Sequence, residues 1–146
     1  MALYSIGRAG TVTTSGSFTF DIATSSGQRP HCMELSVFLG AATASTFGVN
    51  RTTAIGTRTS PVALQSEDPG DPTLTGITLT DSAIAWSVQP TAGTNDFRLI
   101  GLPATIGTGI IWTFPRGLVI AASGSIGIIN RATNSATNNC YGVCDI

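Results

Sequence analysis

The chain has 146 residues, of which 42% are hydrophobic and only 10% charged, with a formal net charge of −1. A length near 150 residues suits one domain, 1–146, and lets about 70% of the unfolded chain's surface be buried, so no staples are required. The charged share lies well below the usual ~25%, and the seven basic residues are all Arg, set singly along a chain without Lys. This excludes the basic patch that a nucleic-acid binder needs to neutralise phosphates.

Ser, Thr, Asn and Gly must then supply the surface polarity, and a neutral surface of this kind reads as one partly covered by other subunits. Lys is a common gatekeeper on exposed sheet edges, so its absence points to edges that are closed, short or covered. No basic segment followed by an apolar run marks a signal peptide at Met1–Ile6. Nor does any stretch approach the about 18 apolar residues of a membrane helix. Synthesis and assembly in a cytoplasm are expected.

Helical periodicity is almost absent, and apolar residues alternate or fall in short runs broken by turn residues. Met1–Ile6 gives a first strand ended by Gly7 and Gly10, followed by Thr11–Thr14 and Ser17–Ala23. In the latter, Phe18, Phe20 and Ile22 share one face and Thr19 and Asp21 the other, the pattern of a half-buried strand. Cys32–Leu39 follows, with Leu35, Val37 and Leu39 aligned. Phe47–Arg51 is a strand, and Ile55–Arg58 a turn or edge segment. The run from Gln65 to Pro72 carries acids, prolines and a glycine and reads as an exposed loop.

Thr73–Thr80 alternates again, Ile84–Val88 holds Trp86, and Asp96–Ile100 is short. Gly109–Phe114 is the most apolar strand and reads as a central core strand ended by a turn at Pro115. Leu118–Ala121 and Ser125–Asn130 suggest a hairpin through Ala122-Ser123-Gly124, and Asn139–Val143 could close the sheet. The expected fold is therefore all-β: a jelly-roll-like antiparallel β-sandwich or barrel of about eight to ten short strands.

The candidates for chemistry are few. Glu67, Asp68 and Asp71 crowd one loop, but their spacing does not match a calcium-loop pattern and two prolines limit how the loop could wrap an ion. His31, Cys32, Cys140 and Cys144 could form a Cys3His zinc site, yet no Cys-x-x-Cys knuckle is present. A local Cys140–Cys144 disulfide is the better use of those residues, although cytoplasmic assembly disfavours it. An odd number of cysteines argues against a disulfide framework.

His31 and Cys32 are adjacent, so on a strand they face opposite ways and cannot act as a Cys–His pair. No Gly-x-Ser-x-Gly elbow and no phosphate-binding glycine loop occurs. Carboxylates for glycoside cleavage would have to come from Asp21, Glu34, the acidic loop, Asp81, Asp96 or Asp145, most of them beside turns. No catalytic, cofactor-binding or metal residue is assigned and no cofactor is expected. Trp112 and Arg116, in the run from Ile110 to Gly117, are of the types enriched at interface hot spots and are candidates for a subunit contact.

Several segments together carry a resemblance: Met1–Ile6, Phe18-Thr19-Phe20-Asp21-Ile22, the strand ending near Arg51, and the loop Asp68-Pro69-Gly70-Asp71-Pro72. To these belong Ile111-Trp112-Thr113-Phe114-Pro115-Arg116-Gly117-Leu118-Val119-Ile120, then Ala122-Ser123-Gly124-Ser125 and Ile128-Ile129-Asn130. Their order resembles the jelly-roll capsid decoration, or cement, proteins of tailed bacteriophages across nearly the whole chain. The end, Cys140-Tyr141-Gly142-Val143-Cys144, departs from the acidic finish of that family.

The resemblance implies a non-enzymatic virion protein on the outer capsid surface, a homotrimer whose partner is the major capsid protein, with no nucleic-acid or membrane partner. The composition agrees, since a neutral surface can be desolvated without stranding many charges. The reading from another class is a receptor- or glycan-binding jelly roll of a tail fibre or tail tip. Such a binder should cluster exposed aromatics with Asp, Asn or Gln, whereas both Trp here fall within strand patterns.

Overall fold

The computed structural model describes residues 2–12, 14–25, 27–81, 86–132 and 136–146. Its regular elements are fourteen strands, with every pairing antiparallel. Four of them, β1 (Leu3–Val12), β3 (His31–Leu39), β12 (Gly109–Val119) and β14 (Ala136–Asp145), form one sheet in the order β12-β3-β14-β1. Four more, β2 (Phe18–Thr24), β4 (Ser45–Ala54), β11 (Arg98–Leu102) and β13 (Ser125–Asn130), form the core of the other in the order β11-β4-β13-β2. The chain crosses between sheets at each step from β1 to β4 and again from β11 to β14. That double wrapping is the jelly roll the sequence predicts.

Six short strands account for the higher strand total, and all lie between β4 and β11. β5 (Thr57–Arg58) pairs with β9 (Trp86–Val88), apart from both large sheets. β6 (Val62–Ala63) lies on β8 (Ile77–Asp81), which itself extends the second sheet from β2, while β7 (Gln65–Ser66) lies on β1. β10 (Thr91–Ala92) shares the free side of β4 with β11. Only Leu64 separates β6 from β7, and it is 2% exposed. One flank of the sandwich is thus sealed by residues 62–66, which belong to both sheets at once.

The core lies between the sheets, where Phe20, Ile22, Leu35, Val37, Leu39, Phe47, Val49, Ile126 and Ile128 are all buried in one cluster. Each such side chain contributes about 1.5–3 kcal/mol by leaving water. β2 and β13 are buried along their whole length, which departs from the half-buried pattern expected of Phe18–Ala23. Two causes combine. The β5–β9 pair covers their outer face, where Trp86 packs with Phe18 and Ile129 in a second small cluster. In addition, the β2–β13 register slips between the Phe20↔Ile128 and Phe18↔Ile129 partners, so Thr19 is a bulge residue. Phe20 and Ile22 therefore join the inter-sheet core while Phe18 joins the outer cluster.

Other boundaries also move. β1 continues through Gly7 and Gly10, because pairing with β14 along all ten residues holds them extended; of the second expected strand, Thr11 and Val12 belong to β1 and Thr13 lies outside the described residues. Residues 84 and 85 of the segment before Trp86 lie outside them as well. The segment from Leu118 does not form a hairpin with Ser125–Asn130: β12 pairs with β3, whereas β13 pairs with β2 and β4, so the turn at 121–124 passes between sheets. β12 is an edge strand, not a central one, and runs on past Pro115 through a register shift between Thr113 and Leu118. An edge tolerates proline because its outward N–H has no ladder partner to lose, and Gly117, at φ 66°, supplies the left-handed residue in the irregularity. Finally, β14 does not close the sheet but lies in its middle, between β3 and β1.

Candidate functional site

The acidic loop is held by β1 and by bonds of its own. Tyr4 Oη donates to the Pro72 carbonyl at 2.8 Å, the Glu67 N–H donates to the Leu3 carbonyl at 2.9 Å, and the Gly70 N–H donates to Asp68 Oδ1 at 2.8 Å. Asp68 therefore braces a turn, and Glu67 faces solvent. Among the described residues no group of three His, Cys, Asp or Glu side chains is placed to hold a metal ion.

His31 and Cys32 do point to opposite sides: His31 is exposed with Nδ1 3.1 Å from the Arg116 carbonyl, while Cys32 is fully buried. Cys140 and Cys144 are also buried in the inter-sheet core, and no disulfide joins the three. Strand rise separates residues 140 and 144 by about 13 Å, too far for the local bridge considered from sequence. Instead, Cys144 sits directly across the ladder from Cys32.

Of the carboxylates, Asp21 is 0% exposed on β2 and forms an ion pair with Arg58 of β5. Burial pushes its carboxyl up to about 6, against the opposing charge of Arg58 and hydrogen bonds from Ser125 and Arg58. Asp21 Oδ1, Arg58 Nε and Trp86 Nε1 are buried without a hydrogen-bond partner among the described residues. Asp96 accepts two bonds from Arg131, at 2.9 Å from Nε and 2.7 Å from Nη2, and a third from Asn50 Nδ2 at 2.8 Å. Partial burial opposes ionisation there, but these donors outweigh it and hold the carboxyl below its ordinary value. Each of these two acids ties an outlying segment to the second sheet: β5 through Asp21, and the 93–96 turn through Asn50, Asp96 and Arg131. Both anchors span more than thirty residues of chain, so sequence reading could not find them; a charged residue inside an alternating strand, as at Asp21, was the one available hint.

The aromatic run divides by face. Trp112 and Phe114 are buried, while Ile111 is 48% exposed and Arg116 is at the surface. Trp112 is thus a core residue, not the contact residue considered above; Arg116 remains accessible. β12 and β11 are the edge strands on the flank opposite residues 62–66, with Arg98 of β11 lying over the Phe114 ring of β12 at 5.8 Å. Here large apolar side chains meet solvent: Leu99 on β11, 61% exposed, Ile106 in the connecting loop, 66% exposed, and Ile111 on β12. Phe97, just ahead of β11, is partly covered by Arg51, whose guanidinium stands 5.0 Å from the ring centre. Scattered exposed apolar residues are ordinary, but these lie on two adjacent strand edges and the loop that joins them.

Comparison with known proteins adds no relative: no family model matches the chain, and no curated protein or solved structure is significantly similar to it.

Proposed function

We propose that this chain is a structural protein of a tailed-bacteriophage virion, made in the host cytoplasm. In this reading it is a capsid decoration protein that binds the outside of the shell as a homotrimer and stabilises contacts between major capsid subunits. Its activity is assembly rather than catalysis. The observation that carries this reading is the β11–β12 flank. The insertion between β4 and β11 seals the other flank and covers part of the outer face of the second sheet, while Leu99 and Ile111 on two adjacent strand edges and Ile106 in the loop between them are left in water. Burying such side chains against another protein removes apolar area at about 25 cal/mol per Å², and few charges are stranded when the rest of the surface is so nearly neutral. Repeated by shell symmetry, modest contacts of this sort act together through avidity.

We favour this reading over a glycan-binding role because Trp86 and Trp112, the side chains best suited to stack on a sugar, are both buried. The test is co-sedimentation of the purified protein with expanded shells, alongside sedimentation analysis of the protein alone. Saturable binding to shells, lost in a Leu99→Asp/Ile111→Asp variant that keeps its melting temperature, is the expected result. No binding to shells, with saturable binding to host cells or polysaccharide, would overturn it.

A further inference from the structure

The inner row of β14 consists of Asn138, Cys140, Gly142 and Cys144, all buried, and the facing row of β3 contains Cys32, Leu35, Val37 and Leu39. The register pairs Gly142 with Leu35 and Cys140 with Val37, then shifts by one residue so that Cys144 stands opposite Cys32. Because of that shift both thiols point into the space between the sheets, where each is 0% exposed, with Cys32 Sγ 3.5 Å from the Glu34 carbonyl. Directly opposed residues of an antiparallel pair have Cα atoms about 4.5–5.5 Å apart, inside the range of about 4.4–6.8 Å that a disulfide spans. Cys140 lies two inward positions further along, opposite Val37, with its Sγ 3.2 Å from Asn138 Oδ1.

We infer that Cys32 and Cys144 are a disulfide-forming pair, a cross-link site that ties β14 to β3 in the middle of the first sheet and excludes Cys140. The inference does not depend on the assembly reading above. The oxidant is a small-molecule disulfide of the glutathione class. One protein thiolate attacks it, breaking its S–S bond, forming a mixed disulfide and releasing one glutathione thiol. The second protein thiolate then attacks the protein-side sulfur, forming the Cys32–Cys144 bond and releasing the second glutathione. Two electrons and two protons pass from the protein thiols to the two glutathione thiols.

In the folded chain the step is slow for two reasons. Neither sulfur is reachable from solvent, and contact with Cys144 together with burial pushes the Cys32 thiol well up, so little of the reactive thiolate is present. The bond therefore forms while β14 is undocked or transiently displaced. Once made, it closes a long loop from residue 32 to residue 144, the case in which a cross-link restricts the unfolded state most.

The experiment treats the full chain with oxidised glutathione in moderate urea, removes the urea, alkylates what remains and maps peptides without reduction. Expected are one peptide pair joining residues 32 and 144, lighter by two hydrogens, with Cys140 alkylated, and a melting temperature about 5 °C or more above that of the reduced protein. Cys140→Ser should form the same link, and Cys144→Ser should abolish both the link and the shift. A link that includes Cys140, glutathione adducts with no internal link, or a linked protein that melts no higher than the reduced one would each overturn the inference. Should Cys144→Ser fail to fold, the wild-type peptide map alone decides between these outcomes.

Discussion

Replacing Arg58 by Met tests how the β5–β9 pair is held to the body of the protein. Methionine keeps most of the apolar stem and removes the guanidinium that faces Asp21 under that cover. Asp21 is fully buried, and its carboxyl stands at about 6 instead of 3.8. At 1.36 kcal/mol per tenfold change in proton affinity, holding it ionised costs the folded state about 3 kcal/mol above pH 6. The folded chain takes up the proton at higher pH than the unfolded chain, so this group makes stability rise as pH falls from about 6 to about 3.8 and contributes no further change below that. Without Arg58 the carboxyl has lost its compensating charge, its affinity for the proton rises further, and the pH-dependent window extends upward through neutrality.

Breaking a buried pair from one side costs about 3–5 kcal/mol, whereas replacing both members by neutral groups is often without net cost. Urea unfolding at pH 5 and pH 7.5 is the assay. Arg58→Met should lose about 3–5 kcal/mol at pH 7.5 and clearly less at pH 5, and Asp21→Asn/Arg58→Met should return to within about 1 kcal/mol of wild type at both. A loss below about 1 kcal/mol at pH 7.5, or a double variant as unstable as the single one, would refute the reasoning.

Other predictions concern packing. A Cβ at position 142 would come within 2.6 Å of Ile22 Cδ1 and 3.2 Å of Leu35 Cδ2, so Gly142→Val should destabilise by about 1–3 kcal/mol through overpacking, measured by chemical unfolding. Phe20→Ala removes a ring from the centre of the core and should cost about 3–5 kcal/mol in the same assay. Asn50→Ala deletes the donor and acceptor that hold Gly93, Asn95 and Asp96. It should lower stability by about 1–3 kcal/mol and speed amide exchange in the 93–96 turn, while exchange in β14 keeps its rank. Leu99→Asp and Ile111→Asp, at exposed positions, should each change monomer stability by no more than about 0.5 kcal/mol.

The alternation of Leu35, Val37 and Leu39, and the turn residues between strands, sufficed to predict an all-β sandwich or barrel, because both are local properties. What failed was non-local. Ala122-Ser123-Gly124 is a turn in either reading, and nothing within it reveals that the strands on either side enter different sheets. Pro115 and Gly117 read as a strand end, but an edge position with a bulge absorbs them. β14 looked peripheral because its inner row contains Gly142 and two cysteines, a weak apolar signal that makes sense only once Ile22 and Phe20 are seen filling the space above Gly142. Thr19 as a bulge residue, and Arg58 as the partner of Asp21, depend on segments far away in the chain and leave no trace in spacing.

The pairing of β1 with β14, from Leu3 opposite Asp145 to Val12 opposite Ala136, has a consequence for how the protein is made. Within this sequence β1 comes before every other strand and its neighbour β14 after every other, so their pairing must wait for the whole span between them. Until then β1 and β3 each present an unsatisfied edge, and the Phe20–Ile22 face of the other sheet has nothing opposite it. Topologies dominated by such distant contacts fold in milliseconds to seconds rather than microseconds. Until β14 docks, these open edges are where the chain is most exposed to pairing with another copy.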